Sequence, residues 1–450
     1  MSLSDSASAP GISHLDALVR SVRGSDRALE LVRSLTDEVG PRYPCTPGDV
    51  AAVAWAKERM RDAGLENVRS EVAPAELWER GSESCELILP RRQPVVLTAL
   101  GGSVGTGSAP LEGEVVEFGS LEDLEAAPAE KVRGRVVYLH HVMPRRRDGT
   151  GYNAGSIVRM RGPSAAAKKG ALACLVRSVG TDSMRAAHTG ALFYEPGVAT
   201  IPAAALSIPD ADLLHRHLAS GKAAHTRLAL GCRPLPVGES ANVIAELPGT
   251  DLADEIVLVG AHLDSWDLGT GALDDGAGCA IAIAAAAAIA ALPTRPRRTI
   301  RVALFANEEL GTGGGIAYAK THADEASRHV VAMEADQGDG APWALRVPAA
   351  DRDSTLTAAL LTALGPLGIE LDAGPSRGGV DIGPLRQLGI PFLDLRQDAT
   401  RYFDFHHTVN DVFENVSRED IAAATTAFAV ALQVTANADG RFGGEATKAA

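Results

Sequence analysis

The chain has 450 residues, enough for two or three domains of ordinary size. Lys and Arg number 43 against 57 Asp and Glu, a formal charge of −14. This argues against a nucleic-acid binder, which needs concentrated basic surface, and against adhesion to anionic lipid. Hydrophobic residues make up 46% and aromatics only 4%, the composition of a globular protein with an Ala- and Gly-heavy core.

The first forty residues are polar, without the apolar stretch of a secretory leader, so a cytoplasmic location is expected, with secretion left open. Pro47-Gly48 and a capping Asp49 open a predicted helix that runs to Ala63, with Val53, Ala56, Met60 and Ala63 on one face. Strand-like stretches follow at 85–89 and 94–97. From about Gly101 the character changes: short strands, many Gly and Pro, and a basic loop, Arg145-Arg146-Arg147, expected to be solvated. There 134–139 and 171–176 read as strands and 164–170 as a helix. We expect a β-rich domain, 101–235, inserted into a larger one made of 15–100 and 236–437, with flexible tails at 1–14 and 438–450.

Beyond Asn242, apolar strands at 256–260, 300–305, 330–333 and 391–395 alternate with helices. Strands apolar on both faces indicate a three-layer α/β fold around a mainly parallel sheet. The longest apolar run, Cys279 to Leu292, is too short for a bilayer and reads as a buried helix, so no membrane is expected. Five scattered cysteines without C-x-x-C form neither a disulfide framework nor a thiolate zinc site.

In such sheets ligands bind beyond the carboxyl ends of the strands. The first strand runs into His262-Leu263-Asp264, followed by a loop with Asp274-Asp275-Gly276. The second leads to Asn307-Glu308-Glu309, the third to Glu334-Ala335-Asp336, and near the last lies Phe405-His406-His407. Singly these are a capped turn, a solvated helix start or a surface pair. Their joint delivery to one sheet edge outweighs that reading. So much negative charge needs a cation, and imidazole with carboxylate suits zinc, manganese or cobalt. There are more ligands than one ion takes, which favours two ions bridged by a carboxylate. Gly101-Gly-Ser103-Val-Gly105 has a serine-hydrolase pattern, but the stretch after it is too rich in Gly and Pro for the required helix.

Taken in order, Gly260 to Asp267, Gly271 to Gly276, Asn307-Glu308-Glu309, Met333 to Asp336, Gly378 to Asp381 and Phe405 to Asp411 resemble the co-catalytic zinc aminopeptidase family, nearest its carboxypeptidase Q branch. In the insert, Leu175 to Ser178, His188-Thr-Gly190 and Ile201-Pro-Ala203 resemble that branch's protease-associated domain. The resemblance implies a metallo-exopeptidase that cleaves next to a free N-terminus in dipeptides or short peptides. It implies two Zn2+ per chain, with Mn2+ or Co2+ as substitutes. His262 and Asp336 would bind one ion, Glu309 and His407 the other, with Asp274 bridging. Glu334 competes for the place of Asp336, and the H-x-x-x-D spacing to Asp411 favours His407 over His406. Glu308 would be the general base, Asp264 would orient His262, and Asp274–Asp275 would be cis. Substrate contacts are expected at His406, Tyr402 and Arg377. A small peptide is the expected partner, and a homodimer is implied by the resemblance alone. The alternative is a binding-type member of the same fold without catalysis; here every ligand position and the base are filled.

Overall fold

The computed structural model describes residues 14–443. Five strands build the central sheet: β1 (Glu66–Glu79), β2 (Arg233–Leu247), β3 (Leu252–His262), β4 (Arg298–Phe305) and β5 (His329–Glu334), in the order β1-β2-β4-β3-β5. Three helices frame it: α1 (Pro47–Asp62), α2 (Ala277–Ala290) and α3 (Arg418–Asn437). β3 alternates apolar residues to both faces. Val257, Val259 and Ala261 pack toward α2 and α3, and Leu258 packs toward Phe305, Ile382 and Phe392. The sheet is therefore covered on both sides, as the uninterrupted apolar strands require.

It is mixed rather than mainly parallel: β3 pairs in parallel with β4 and β5, whereas β1–β2 and β2–β4 are antiparallel. The reason is the insert. The chain leaves the sheet along β1 and returns along β2, a ribbon paired from Glu66↔Glu246 to Glu79↔Arg233. The expected strand at 391–395 also shifts. Only Phe392 bridges to Ala332 of β5, and Asp394–Gln397 pairs with Pro342–Arg346 in a separate three-stranded sheet.

A second, eight-stranded sheet takes all its strands from residues 83–230. The boundary expected at 101 thus moves back to about 83, because Glu83–Leu89 pairs with Arg91–Val95 and with His225–Leu230. Its Leu87 and Cys85 pack with Leu228 and Leu230, away from the central core. The helix expected at 164–170 runs instead from Gly151 to Lys168, its internal Gly and Pro163 having hidden the periodicity. At the other end, 438–443 is no loose tail: Phe442 is buried in the main core and the Ala438 carbonyl accepts from Arg298 (2.6 Å). The remaining tail residues, 1–13 and 444–450, lie outside the described residues.

α1 starts two residues before the expected Asp49. The Thr46 hydroxyl accepts the Asp49 N–H (3.4 Å), while the Asp49 carboxylate accepts the Cys45 N–H (2.8 Å). That reciprocal cap leaves Pro47 in the first turn, where a missing N–H costs nothing. α2 is the alanine run. A helix apolar all round must be buried, and α2 lies between the sheet and the helices Leu15–Arg23, Arg27–Glu38 and α3. Its entry is tight: a Cβ on Gly278 would stand 1.9 Å from the Ala335 carbonyl oxygen and 2.3 Å from Asp275 Oδ1. Gly278→Ala is expected to cost about 2 kcal/mol of stability as an overpacking change, measured by equilibrium denaturation. A wild-type midpoint would refute the close fit.

Candidate metal centre

The carboxyl ends of β3, β4 and β5 meet at one edge. His262 is the last residue of β3, Glu308 and Glu309 follow β4, and Asp336 lies two residues beyond β5. Asp274 enters from the loop before α2, across a cis Asp274–Asp275 bond, and His406-His407 from the segment before α3. Asp274 stands between two imidazoles: its Oδ1 is 3.2 Å from His262 Nε2 and its Oδ2 is 3.1 Å from His407 Nε2. On the first side, Asp336 Oδ1 is 3.7 Å from His262 Nε2; on the second, Glu309 Oε2 is 3.0 Å from His407 Nε2.

The tautomers give this geometry its meaning. His262 Nδ1 donates to the Asp264 main-chain carbonyl (3.0 Å) and His407 Nδ1 donates to that of Thr189 (3.3 Å). When neutral, each ring anchored in this way turns a lone pair on Nε2 toward two carboxylate oxygens. Electron-rich atoms converging in a buried place repel unless a cation lies among them. Asp274 Oδ2 and Glu309 Oε1 are likewise buried without a hydrogen-bond donor among the described residues. The residues therefore fit metal ions, in two clusters that share Asp274: His262–Asp274–Asp336, and Asp274–His406–His407, with Glu309 3.0 Å from His407. His406 Nε2 is also 3.4 Å from Asp274 Oδ2, but its ring stacks on His407 at 3.6 Å and its Nδ1 meets no acceptor among the described residues. A ring whose far nitrogen is anchored is the better-prepared ligand, which favours His407. Glu334, the competitor of Asp336, is engaged elsewhere, its carboxylate accepting the Ile382 N–H (2.8 Å).

The neighbouring charges behave accordingly. Burial raises the Asp336 carboxyl well above the usual range, against the pull of His262, with Asp275, Glu308 and Asp274 adding to the rise. Burial likewise lifts Glu308 to about 8; His262 opposes it, and Glu309, Asp274 and Asp264 contribute. Asp264 sits against His262: its main-chain carbonyl accepts from Nδ1, and its Oδ1 is 3.7 Å from the same nitrogen. The carboxylate accepts the N–H groups of Glu308 (3.0 Å) and Glu309 (3.2 Å) and so fixes the turn that carries both.

Three supporting residues escaped the sequence reading. Asp275 Oδ2 accepts the His262 N–H (3.0 Å). Asp411, noted only for its spacing, accepts the N–H groups of Leu273 (2.6 Å) and Asp274 (3.2 Å) and so holds the bridging turn. Arg42, fully buried, donates to the carbonyls of Leu263, Thr270 and Gly271. Asp275 and Asp411 stood inside recognised motifs. Arg42 had no signal, because a lone Arg in a loop reads as surface.

A cavity of about 640 Å³ opens over this edge. Glu308, Glu309, Asp336, Tyr402, His406 and His407 line its floor side, and the insert contributes Tyr152, Arg159 and Phe193. The expected contact residues His406, Tyr402 and Arg377 all border it, as does Arg396, whose Nε is buried and unpaired among the described residues. The basic loop is exposed, as expected, yet two of its arginines are paired. Arg145 forks onto Asp404 (2.6 and 2.9 Å) and Arg147 pairs with Asp398 (2.9 Å), tying the insert to the segment that carries the two histidines.

Residues 242–432 match peptidase family M28. Carboxypeptidase Q of Mus musculus is 33% identical over 414 residues, covering 92% of this chain and 86% of its own length. The chain belongs to peptidase family M28. The Homo sapiens carboxypeptidase Q is 32% identical over 415 residues, with the same coverage. A peptidase M28 precursor from Shewanella amazonensis SB2B superposes with a TM-score of 0.93 at 42% identity, over 96% of this chain and 98% of that one. A zinc aminopeptidase from Bacillus subtilis shares the fold, with a TM-score of 0.63 at 20% identity over 92% and 95% of the two chains. This M28 metallopeptidase is thus related to carboxypeptidase Q and to aminopeptidases, as its motifs implied. The cytoplasmic expectation does not stand. The Shewanella relative, 42% identical over 96% of this chain, is described as a precursor.

Proposed function

We propose that this chain is a two-zinc exopeptidase that hydrolyses the peptide bond next to a free N-terminus in dipeptides or short peptides. The observation that carries this reading is the position of Asp274, with one carboxylate oxygen facing each anchored imidazole. His262 and Asp336 would hold one ion, His407 and Glu309 the other, and Asp274 both. When bound, the pair supplies Lewis acidity toward the scissile carbonyl and eases deprotonation of a water.

The chain's own groups do the rest. Glu308, carried on the same turn as Glu309 but left free of ligation, takes a proton from the attacking water and returns it to the leaving amine. Asp264 keeps that turn in place through its two main-chain contacts. Tyr402 and His406 would lie against the substrate beside Asp274, and Arg377 would meet its carboxylate. The insert, which we read as protease-associated-like, walls the cavity and excludes folded proteins.

The test combines metal analysis with a peptide panel. We expect two zinc ions per chain, hydrolysis of free dipeptides, and none of their N-acetylated forms. Undiminished hydrolysis by chelated, metal-free protein would overturn the reading.

A further inference from the structure

The insert reaches the metal centre at one place beyond the cavity wall. After the strand Ala173–Arg177, the segment 178–191 runs beside 403–407 and is bonded to it repeatedly. The Thr181 N–H donates to the Phe403 carbonyl (3.0 Å) and its hydroxyl to Asp404 Oδ1 (2.8 Å). His188 Nδ1 donates to the His406 carbonyl (2.7 Å). The Thr189 N–H donates to the His407 carbonyl (3.0 Å), while His407 Nδ1 donates back to the Thr189 carbonyl. His407 has a φ of +63°, a left-handed conformation that a residue with a side chain adopts only when its surroundings hold it there.

His188 is itself fixed from behind. Its ring is 1% exposed, and its Nε2 lies 2.6 Å from Asp182 Oδ2, also buried. Its main-chain N–H donates to Ser178 Oγ, whose hydroxyl donates to the Leu206 carbonyl. Gly180 leaves room for the ring: a Cβ there would stand 2.3 Å from His188 Cε1. A buried histidine paired with a buried carboxylate, and spent on one main-chain carbonyl next to a metal-facing imidazole, costs more than a filler role requires.

We propose that His188, backed by Asp182, is a positioning residue for the metal centre: through the His406 carbonyl and the Thr189 main chain, the insert sets the conformation of His407. This rests on the reading of His407 as a ligand. The insert is then a built-in part of the metal site as well as its wall.

The test uses the whole chain and reads metal affinity, with zinc content measured after equilibration against graded chelator, and the Co2+ absorption spectrum. His188→Ala removes the contact to His406. His188→Asn keeps a donor where Nδ1 was and loses only the bond to Asp182. We expect His188→Ala to weaken one of the two ions 10- to 100-fold, the range found for residues that orient a metal ligand, and to alter the Co2+ spectrum. His188→Asn should recover most of that loss. Should His188→Ala fail to fold, Asp182→Asn supplies the same reading with a smaller loss. Wild-type affinity and spectrum in His188→Ala, or a loss that His188→Asn does not relieve, would overturn the proposal. His407→Ala is measured alongside. If it keeps both ions at wild-type affinity, the ligand reading itself fails; if it loses one while the His188 variants do not, only the positioning role fails.

Discussion

Glu308→Gln is expected to lower kcat on a free dipeptide by about 10²- to 10⁴-fold, the usual contribution of a positioned proton-transfer group, while zinc content stays at the wild-type level. The argument is geometric. Glu308 shares its turn with Glu309, and the Asp264 carboxylate holds both main-chain N–H groups, so an isosteric amide leaves the turn in place. None of the short contacts that converge on Asp274 involves Glu308, so its charge is not needed to hold an ion. What the amide cannot do is accept a proton. Burial, with the neighbouring carboxylates, already raises the Glu308 carboxyl to about 8. A bound cation would pull that value down toward the range in which a general base works near neutral pH. Kinetics and metal analysis on the same preparation decide it: loss of zinc along with activity would make Glu308 a ligand, and retained activity would remove it from the chemistry.

The same physics explains what could be read in the chain and what could not. β3, β4 and β5 were legible because strands covered on both faces are apolar throughout, and the residues after them stood out by contrast. The site residues were legible for that reason: His262, Glu308 and Asp336 are polar where the strand pattern breaks. β1 was not. Its sequence, ENVRSEVAPAELWE, alternates partly exposed residues and contains Pro74, so the ribbon that carries the insert gave no strand signal, and the sheet read as mainly parallel. The insert's start was misplaced because the strands at 83–99 resemble any short β segment, and only their pairing with His225–Leu230 assigns them. Asp264 could be placed beside His262, but sequence spacing does not tell that its carboxylate also holds the turn of Glu308 and Glu309. Arg42 and His188 act through carbonyls far away in the chain, a partnership that leaves no trace in local pattern.

Asp336→Asn should shift stability in opposite directions with and without metal, and the crossing is the second large effect we expect. In chelated protein the Asp336 carboxyl sits well above its ordinary value, mainly through burial and then through Asp275, Glu308 and Asp274, with His262 opposing. A carboxyl raised in the folded state binds its proton more tightly there than in the unfolded chain. Folding therefore loses stability as pH climbs from the unfolded value, near 3.8, toward the folded one. The amide cannot ionise and escapes that loss, so at neutral pH the chelated variant should melt at or above the chelated wild type. Adding zinc reverses the order. Metal at a hundred times its Kd stabilises the folded state by about 2.7 kcal/mol per site. The variant, lacking an anionic ligand beside His262, should forfeit most of that at one site. Thermal melts of both proteins, with chelator and with zinc, read all four values. If the variant were less stable in both conditions, Asp336 would be a structural carboxylate, and the cation would have to be held by other groups at the sheet edge. If it bound zinc as tightly as the wild type, Glu334 would replace it as the candidate, despite the main-chain contacts that now engage its carboxylate.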